Sequence, residues 1–241
     1  ERSRGLGDVY KRQALSTIQD TNAALAEIEH FIWAQLDGRC PDLVCAFVSS
    51  HNAKNYPHIA EQCNELFGPC VSLGCSDAGL VGGGDERESD PGIALCVAHL
   101  PDVSISPFHI CKEQCPSADA GPDAWAQLVG SDRSLPTRFV LMANLAGPPP
   151  LDPRPVLAGL DFAYPECTQV GGLASALDDN VQFLNGSLHA NGLIGIALQR
   201  LRPGGALVIN VATVENLSLA LAELRSLGAP HLSLIHISEP T

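Results

Sequence analysis

Two stretches constrain the fold of this chain more than any other feature. Leu43 to Ser50 (LVCAFVSS) and Arg138 to Asn144 (RFVLMAN) are short, β-rich and apolar on both faces. A strand with two apolar faces has to lie inside a sheet that is covered on both sides. Each run follows a proline, Pro41 or Pro136, and leads to a helical pattern, at 55–67 in the first case and 153–162 in the second. Each helix is followed by a strand that ends in small residues and then by further strand. The first pass spans 42–100 and the second 138–198, with offsets of 96 from Val44 to Val140 and 97 from Gly74 to Gly171. A duplicated unit explains both offsets. The expectation is therefore an α/β fold of internally duplicated strand-helix-strand units, forming mixed sheets covered by helices. Leu15, Ile18, Leu25, Ile28, Ile32 and Leu36 add an N-terminal amphipathic helix over 15–36, stopped at Gly38. Val103 to His109 reads as an edge strand. Cys111 to Pro136, acidic and bearing Pro and Gly, reads as a surface connection with one helical piece at 123–128.

The most informative motif is Ser72 to Gly84, SLGCSDAGLVGGG. Glycine lets a ligand approach the backbone closely, and exposed amides can hold an anion or a carboxylate. Gly74, Cys75, Ser76, Gly82, Gly83 and Gly84 are the first candidate ligand-binding residues. Gly171, Gly172 and Ser175 occupy the matching place in the second pass, so two small-residue turns would line one shared cleft. His51 joins them because it follows the first strand, where α/β ligand sites gather. The motif is neither GxxxxGK[ST] nor GxGxxG opening a helix, so no nucleotide cofactor is expected, nor any other. Cys75 could act as a nucleophile with His51 or His109 as its base. No hydrolase signature surrounds it, and catalysis is not expected. The acidic run Asp85 to Asp90 reads as a solvated turn.

A formal charge of −13 argues against a nucleic-acid partner and against an anionic membrane surface. The apolar runs 92–100 and 192–198 are far shorter than a bilayer span, so no membrane insertion is expected. The nine cysteines include no CxxC pair, which leaves no zinc or dithiol motif. Reduced thiols and a cytoplasmic location follow as expectations.

The run PDLVCAFVSSH, the helix after it, SLGCSDAGLVGGG and GIALCVAHLPDVSISPFHI together resemble the N-terminal part of FIST domains. GGLAS, QFLNG and GLIGIAL resemble the later part of the same module, and the resemblance covers about 25–198. It implies an intracellular sensory domain of signal transduction that binds a small ligand, such as an amino acid, and has signalling partners. It implies alternatively a substrate receptor of the F-box type with ubiquitin-ligase partners. Neither a kinase output module nor an F-box segment is visible, and the C-terminal FIST half is missing from the chain. Leu201 to Leu227 instead resembles the last third of a precorrin methyltransferase of cobalamin synthesis, without the glycine-rich turn that holds the methyl donor. Residues 199–231 are thus expected to be a chimeric fragment or a variant connection, and a non-functional chimera is a third reading. Finally, Ser3–Gln13 and Leu232–Thr241 can be spelled by DNA segments that are reverse complements, and the spelling resembles a transposase adapter used in library preparation. Residues 1–13 and 232–241 are expected to be adapter-derived and carry no weight in the functional reading.

Overall fold

The computed structural model describes residues 10–200, except residues 83–84, 89, 118, 148 and 177–179. Sixteen elements fall into two matching series. The first is β1 (Tyr10–Ser16), α1 (Thr21–Leu36), β2 (Leu43–Ser49), α2 (Tyr56–Glu65), β3 (Val71–Asp77), β4 (Gly79–Gly82), β5 (Asp85–Glu88) and β6 (Ile93–His99). The second is β7 (Val103–Ile110), α3 (Pro122–Val129), β8 (Thr137–Asn144), α4 (Pro153–Ala163), β9 (Thr168–Leu173), β10 (Gln182–Leu184), β11 (Ser187–His189) and β12 (Gly192–Arg200). Of the three sheets among the described residues, one runs β1-β6-β2-β3-β10-β11, one runs β7-β12-β8-β9, and β4-β5 is a two-stranded ribbon. The acidic run expected to be a turn is thus strand at Asp85–Glu88. In both larger sheets, the edge strand and the last strand pair antiparallel, the last strand pairs antiparallel with the first buried strand, and the two strands flanking the second helix pair parallel. The α/β class, the mixed sheets and the duplication are as the sequence implies. The repeat is longer than 42–100 and 138–198, because each unit begins with its own edge strand.

Alternation along the strands sets the layers. Val44, Ala46 and Val48 of β2 pack on Leu25, Ile28 and Ile32 of α1 and on Ile59 and Cys63 of α2. Leu43 and Phe47, on the other face, pack with Val140 and Met142 of β8 and with Ile194, Ile196 and Leu198 of β12. Phe139 and Leu141 then meet Trp125 of α3 and Val156 and Leu160 of α4. The order is helices, sheet, sheet, helices, which explains why both strand runs are apolar on two faces.

Local chemistry fixes the ends of the elements. Asp20 caps α1 by accepting from the Ala23 amide at 2.8 Å, so the helix starts at Thr21 and Leu15 belongs to β1 rather than to a helix over 15–36. The 111–136 segment is not a surface connection. Its α3 buries Trp125 and Val129 and holds the place that α1 holds in the first unit. Asn185 and Gly186, both at positive φ, close β10 onto β11 in the two-residue turn that Asn-Gly favours. This hairpin belongs to the second unit but completes the first sheet, with β10 antiparallel to β3. The tip is held by the Asn185 amide donating to the Ser72 carbonyl at 2.8 Å and the Ser72 amide donating to Asn185 Oδ1 at 3.1 Å. Tyr10 to Gln13 pair with His99 to Cys96 through backbone bonds. Most sequences can supply that geometry, so it says nothing about the origin of these residues. Residues 201–231, with their methyltransferase-like stretch, and 232–241 lie outside the described residues.

Candidate functional site

The parallel strands β3 and β9 end at the same edge of the layer between the sheets. At that edge the apolar packing gives way to polar side chains. Asp77, two residues beyond Cys75 of β3, is 2% exposed. Its Oδ1 accepts from Ser175 Oγ at 2.5 Å and from the amides of Ala78 at 2.8 Å and Gly79 at 3.4 Å. Ser175 follows β9 of the other sheet, and its amide donates to the Ser76 carbonyl at 3.1 Å. The pair thus ties one sheet to the other. Burial pushes the Asp77 carboxyl above the usual range, against the opposing effect of the Ser175, Gly79 and Ala78 hydrogen bonds.

Two further bridges lie beside it. Gln182 of β10 pairs with Cys75 and is 0% exposed, and its Nε2 donates across the layer to the Met142 carbonyl at 2.5 Å. Asn144, the last residue of β8 and 1% exposed, donates to the carbonyls of Asn180 at 2.6 Å and Ala190 at 2.9 Å. Two buried acceptors, Gln182 Oε1 and Asn180 Oδ1, have no donor among the described residues. Each such orphan costs about 1–3 kcal/mol unless a water or a ligand supplies the proton.

The residues that the sequence singles out divide sharply. Ser76 and Ser175 do meet, though Ser76 spends its hydroxyl on the backbone of Val181: it donates to the carbonyl at 3.3 Å and accepts from the amide at 2.9 Å. Gly74 and Gly171 are equivalent, but they serve the sheet. A Cβ on Gly74 would collide with the Ala46 carbonyl, and one on Gly171 with the Leu141 carbonyl, each on the parallel neighbour strand. Gly172 behaves differently. It pairs with Met142, a residue of the inter-sheet core, and a Cβ there would meet nothing within 4 Å. The space beside Gly172 is open, at a half-buried position on the edge strand that flanks Met142.

Gly82 ends β4 against β1, where a Cβ would come to 2.9 Å of Leu15 Cβ, and it does not join the polar edge. Gly83 and Gly84 lie outside the described residues. His51 is exposed on a 3-10 turn, and its neighbour Asn52 is the buried residue there, donating to Gly92 O at 3.2 Å. Cys75 is buried between the sheets, where burial, and then the Asp77 charge, pushes its thiol far up, away from the thiolate that a nucleophile needs. His109 does not serve it: the His109 ring packs against His189 with centroids 4.1 Å apart and the planes tilted by 39°, and its Nε2 bonds the Asn191 carbonyl at 2.9 Å.

Asp77, Asn144, Asn180 and Gln182 are the residues that sequence reasoning missed. The signal was present in three of them: Asp77 and Asn144 end otherwise buried runs, and Gln182 interrupts one. No group of three or more His, Cys, Asp or Glu among the described residues is placed to hold a metal.

No curated protein matches the chain. The family model described as the FIST N domain matches residues 42–213, from just before β2 to beyond the end of β12. That is well over half of the chain, and it takes in β3, β8, β9 and β10 with the polar edge they share. With the GCS-to-GGG strand and its second-unit counterpart both inside the match, the chain belongs to the FIST N domain family, whose members are sensory domains of signal transduction.

Proposed function

We propose that this FIST N domain senses a small polar metabolite bound at the polar edge between its two sheets. The observation that carries the reading is a set of buried side chains at one end of an apolar layer. Asp77 joins one duplicated unit to the other through Ser175, Gln182 joins the two sheets, and Asn144 holds the segments on either side of the β10–β11 hairpin. Hydrogen-bonding capacity left unused at Gln182 and Asn180, together with the open space at Gly172, supports a ligand there. A ligand that bridges the units favours their docked arrangement over any looser one, and that population shift is what a signalling output can read. The domain works by binding, without a cofactor and without catalysis. Nine unpaired thiols support a reducing, cytoplasmic setting. Among the described residues no helix is long and apolar enough to cross a membrane.

The test is a thermal-shift screen of the full chain against amino acids and other small metabolites, repeated with Gly172→Val. A hit that stabilises the wild type and is lost in the folded variant supports the reading. A folded protein that no metabolite stabilises counts against it. Among the described residues the two most exposed large apolar side chains, Phe31 and Phe162, lie on α1 and α4 in opposite outer layers, so no specific observation favours the receptor reading. Gln199 and Arg200 complete β12 and the family match runs on to residue 213, so we read only residues 214–231 as foreign to the module, and sequencing reads across that junction decide the point.

A further inference from the structure

The polar edge has a sign. The buried atoms there that lack any hydrogen-bond partner among the described residues are both acceptors, Gln182 Oε1 and Asn180 Oδ1. Asp77 is a buried carboxyl, and its donors are one hydroxyl and two backbone amides, all directed at Oδ1. Among the described residues no Lys, Arg or His forms an ion pair with it, and no cation acts on it through space. Both N–H donors of Asn144 and one of the two on Gln182 are already committed to main-chain carbonyls. A carboxylate or phosphate entering here would meet two orphaned acceptors and a buried acid, with one remaining Gln182 N–H to offset them. A protonated amine would meet what it lacks, a counter-charge and two acceptors.

Resting on the reading that a ligand occupies this edge, we propose that the ligand binds through a primary ammonium group, which pairs with Asp77 and donates to Gln182 Oε1 and Asn180 Oδ1. The part of the ligand beyond the nitrogen lies over Gly172, against Met142 and the other apolar side chains of the layer. An acid group on the ligand adds nothing to this contact, so simple amines bind and simple carboxylic acids do not.

The groups facing Asp77 set its pH response. On its own strand Cys75 is a neutral thiol. From β10 and from the segment after β9 come Gln182 and Ser175, neither of which titrates. Asp178 and Asp179 lie outside the described residues. Since the ammonium requires the carboxylate form, affinity falls as pH drops below the raised Asp77 range, approaching tenfold for each pH unit.

The experiment is titration calorimetry and thermal shift on the full chain with putrescine and ethanolamine, against succinate and acetate. The expected result is binding of an amine and of neither acid, an amine affinity that falls with pH, and a loss of at least tenfold in Asp77→Asn. Loose attraction to a chain of net charge −13 is set apart because Asp77→Asn would scarcely change it. If Asp77→Asn fails to fold, the wild-type pH profile alone decides, and a flat profile overturns the proposal. Binding of the acids with the amines silent overturns it while leaving a ligand site in place. Silence of all four probes with a folded protein overturns it too, and the wider metabolite screen then judges the site itself.

Discussion

At the scale of single residues, Asp77 is held at a cost. Its folded pKa is raised, so the native state keeps a proton up to a higher pH than the unfolded chain does. Between the ordinary carboxylate value, about 3.9, and the raised one, unfolding releases that proton, and stability declines as pH rises. Above the window the native carboxylate carries the full penalty. Asn is nearly isosteric, can accept from Ser175 and does not titrate. Asp77→Asn should therefore be more stable than wild type at pH 7.5, by about 1 kcal/mol or roughly 2–4 °C in Tm. The gain should vanish at about pH 3.5, and melting curves at both values check it. A variant less stable at pH 7.5 would show Asp77 to be a structural anchor rather than a strained functional group. Cys75 makes the opposite case: its burial and raised thiol mean that alkylation should be slow in the native protein and fast only in denaturant, as mass spectrometry of iodoacetamide-treated samples would show.

Elements explain which parts of this reading were legible in the sequence. The buried strand runs stood out because two covered faces demand apolar residues at every position. The duplication showed because Gly74 and Gly171 answer the same backbone demand at the same place. The function of those glycines was not legible, since close approach by a ligand and close approach by a neighbouring strand both require a missing Cβ. His51 was favoured over Asn52 for its chemistry, yet the turn buries Asn52 and exposes His51, a choice made by tertiary packing. Strand β9 now offers a direct test, because adjacent glycines in it have opposite surroundings. Gly171→Ala places a Cβ into the Leu141 carbonyl and should cost about 3 kcal/mol or more. Gly172→Ala meets open space at an ordinary φ and should stay within about 0.5 kcal/mol of wild type, or gain slightly from a stiffer unfolded chain. Urea midpoints of the two variants check this, and equal losses would mean that β9 is packed on both sides.

For the whole molecule, what matters is how the two sheets are joined. Two links lie outside the inter-sheet core. The packed rings of His109 on β7 and His189 on β11 join the sheets, and burial, then the His109 charge, lowers the His189 pKa. The unfolded chain therefore takes up a proton near pH 6.5 that the native state refuses. Stability present above that pH should be lost as pH falls toward the lowered value, and His189→Gln should flatten a plot of urea midpoint against pH between 7.5 and 5. The larger link is the β10–β11 hairpin, which leaves its own unit to complete the sheet of the other. Phe183 of β10 is buried in the helix-side core of the first unit, with its ring edge-on to Tyr56 at 5.6 Å. A short Gln-Phe-Leu strand gave no sequence signal for this exchange, because its partners are more than a hundred residues away. If the exchange holds the molecule together, Phe183→Ala should cost about 3–5 kcal/mol. Hydrogen exchange should then accelerate in α1 and α2 of the first unit, and more so than in α4 of the second, where the residue's own series lies. Loss of protection confined to β10 and β11 would mean that the hairpin is a surface flap. The first unit would then close its core alone, and the polar edge beside Gln182 would be open to rearrangement without a ligand.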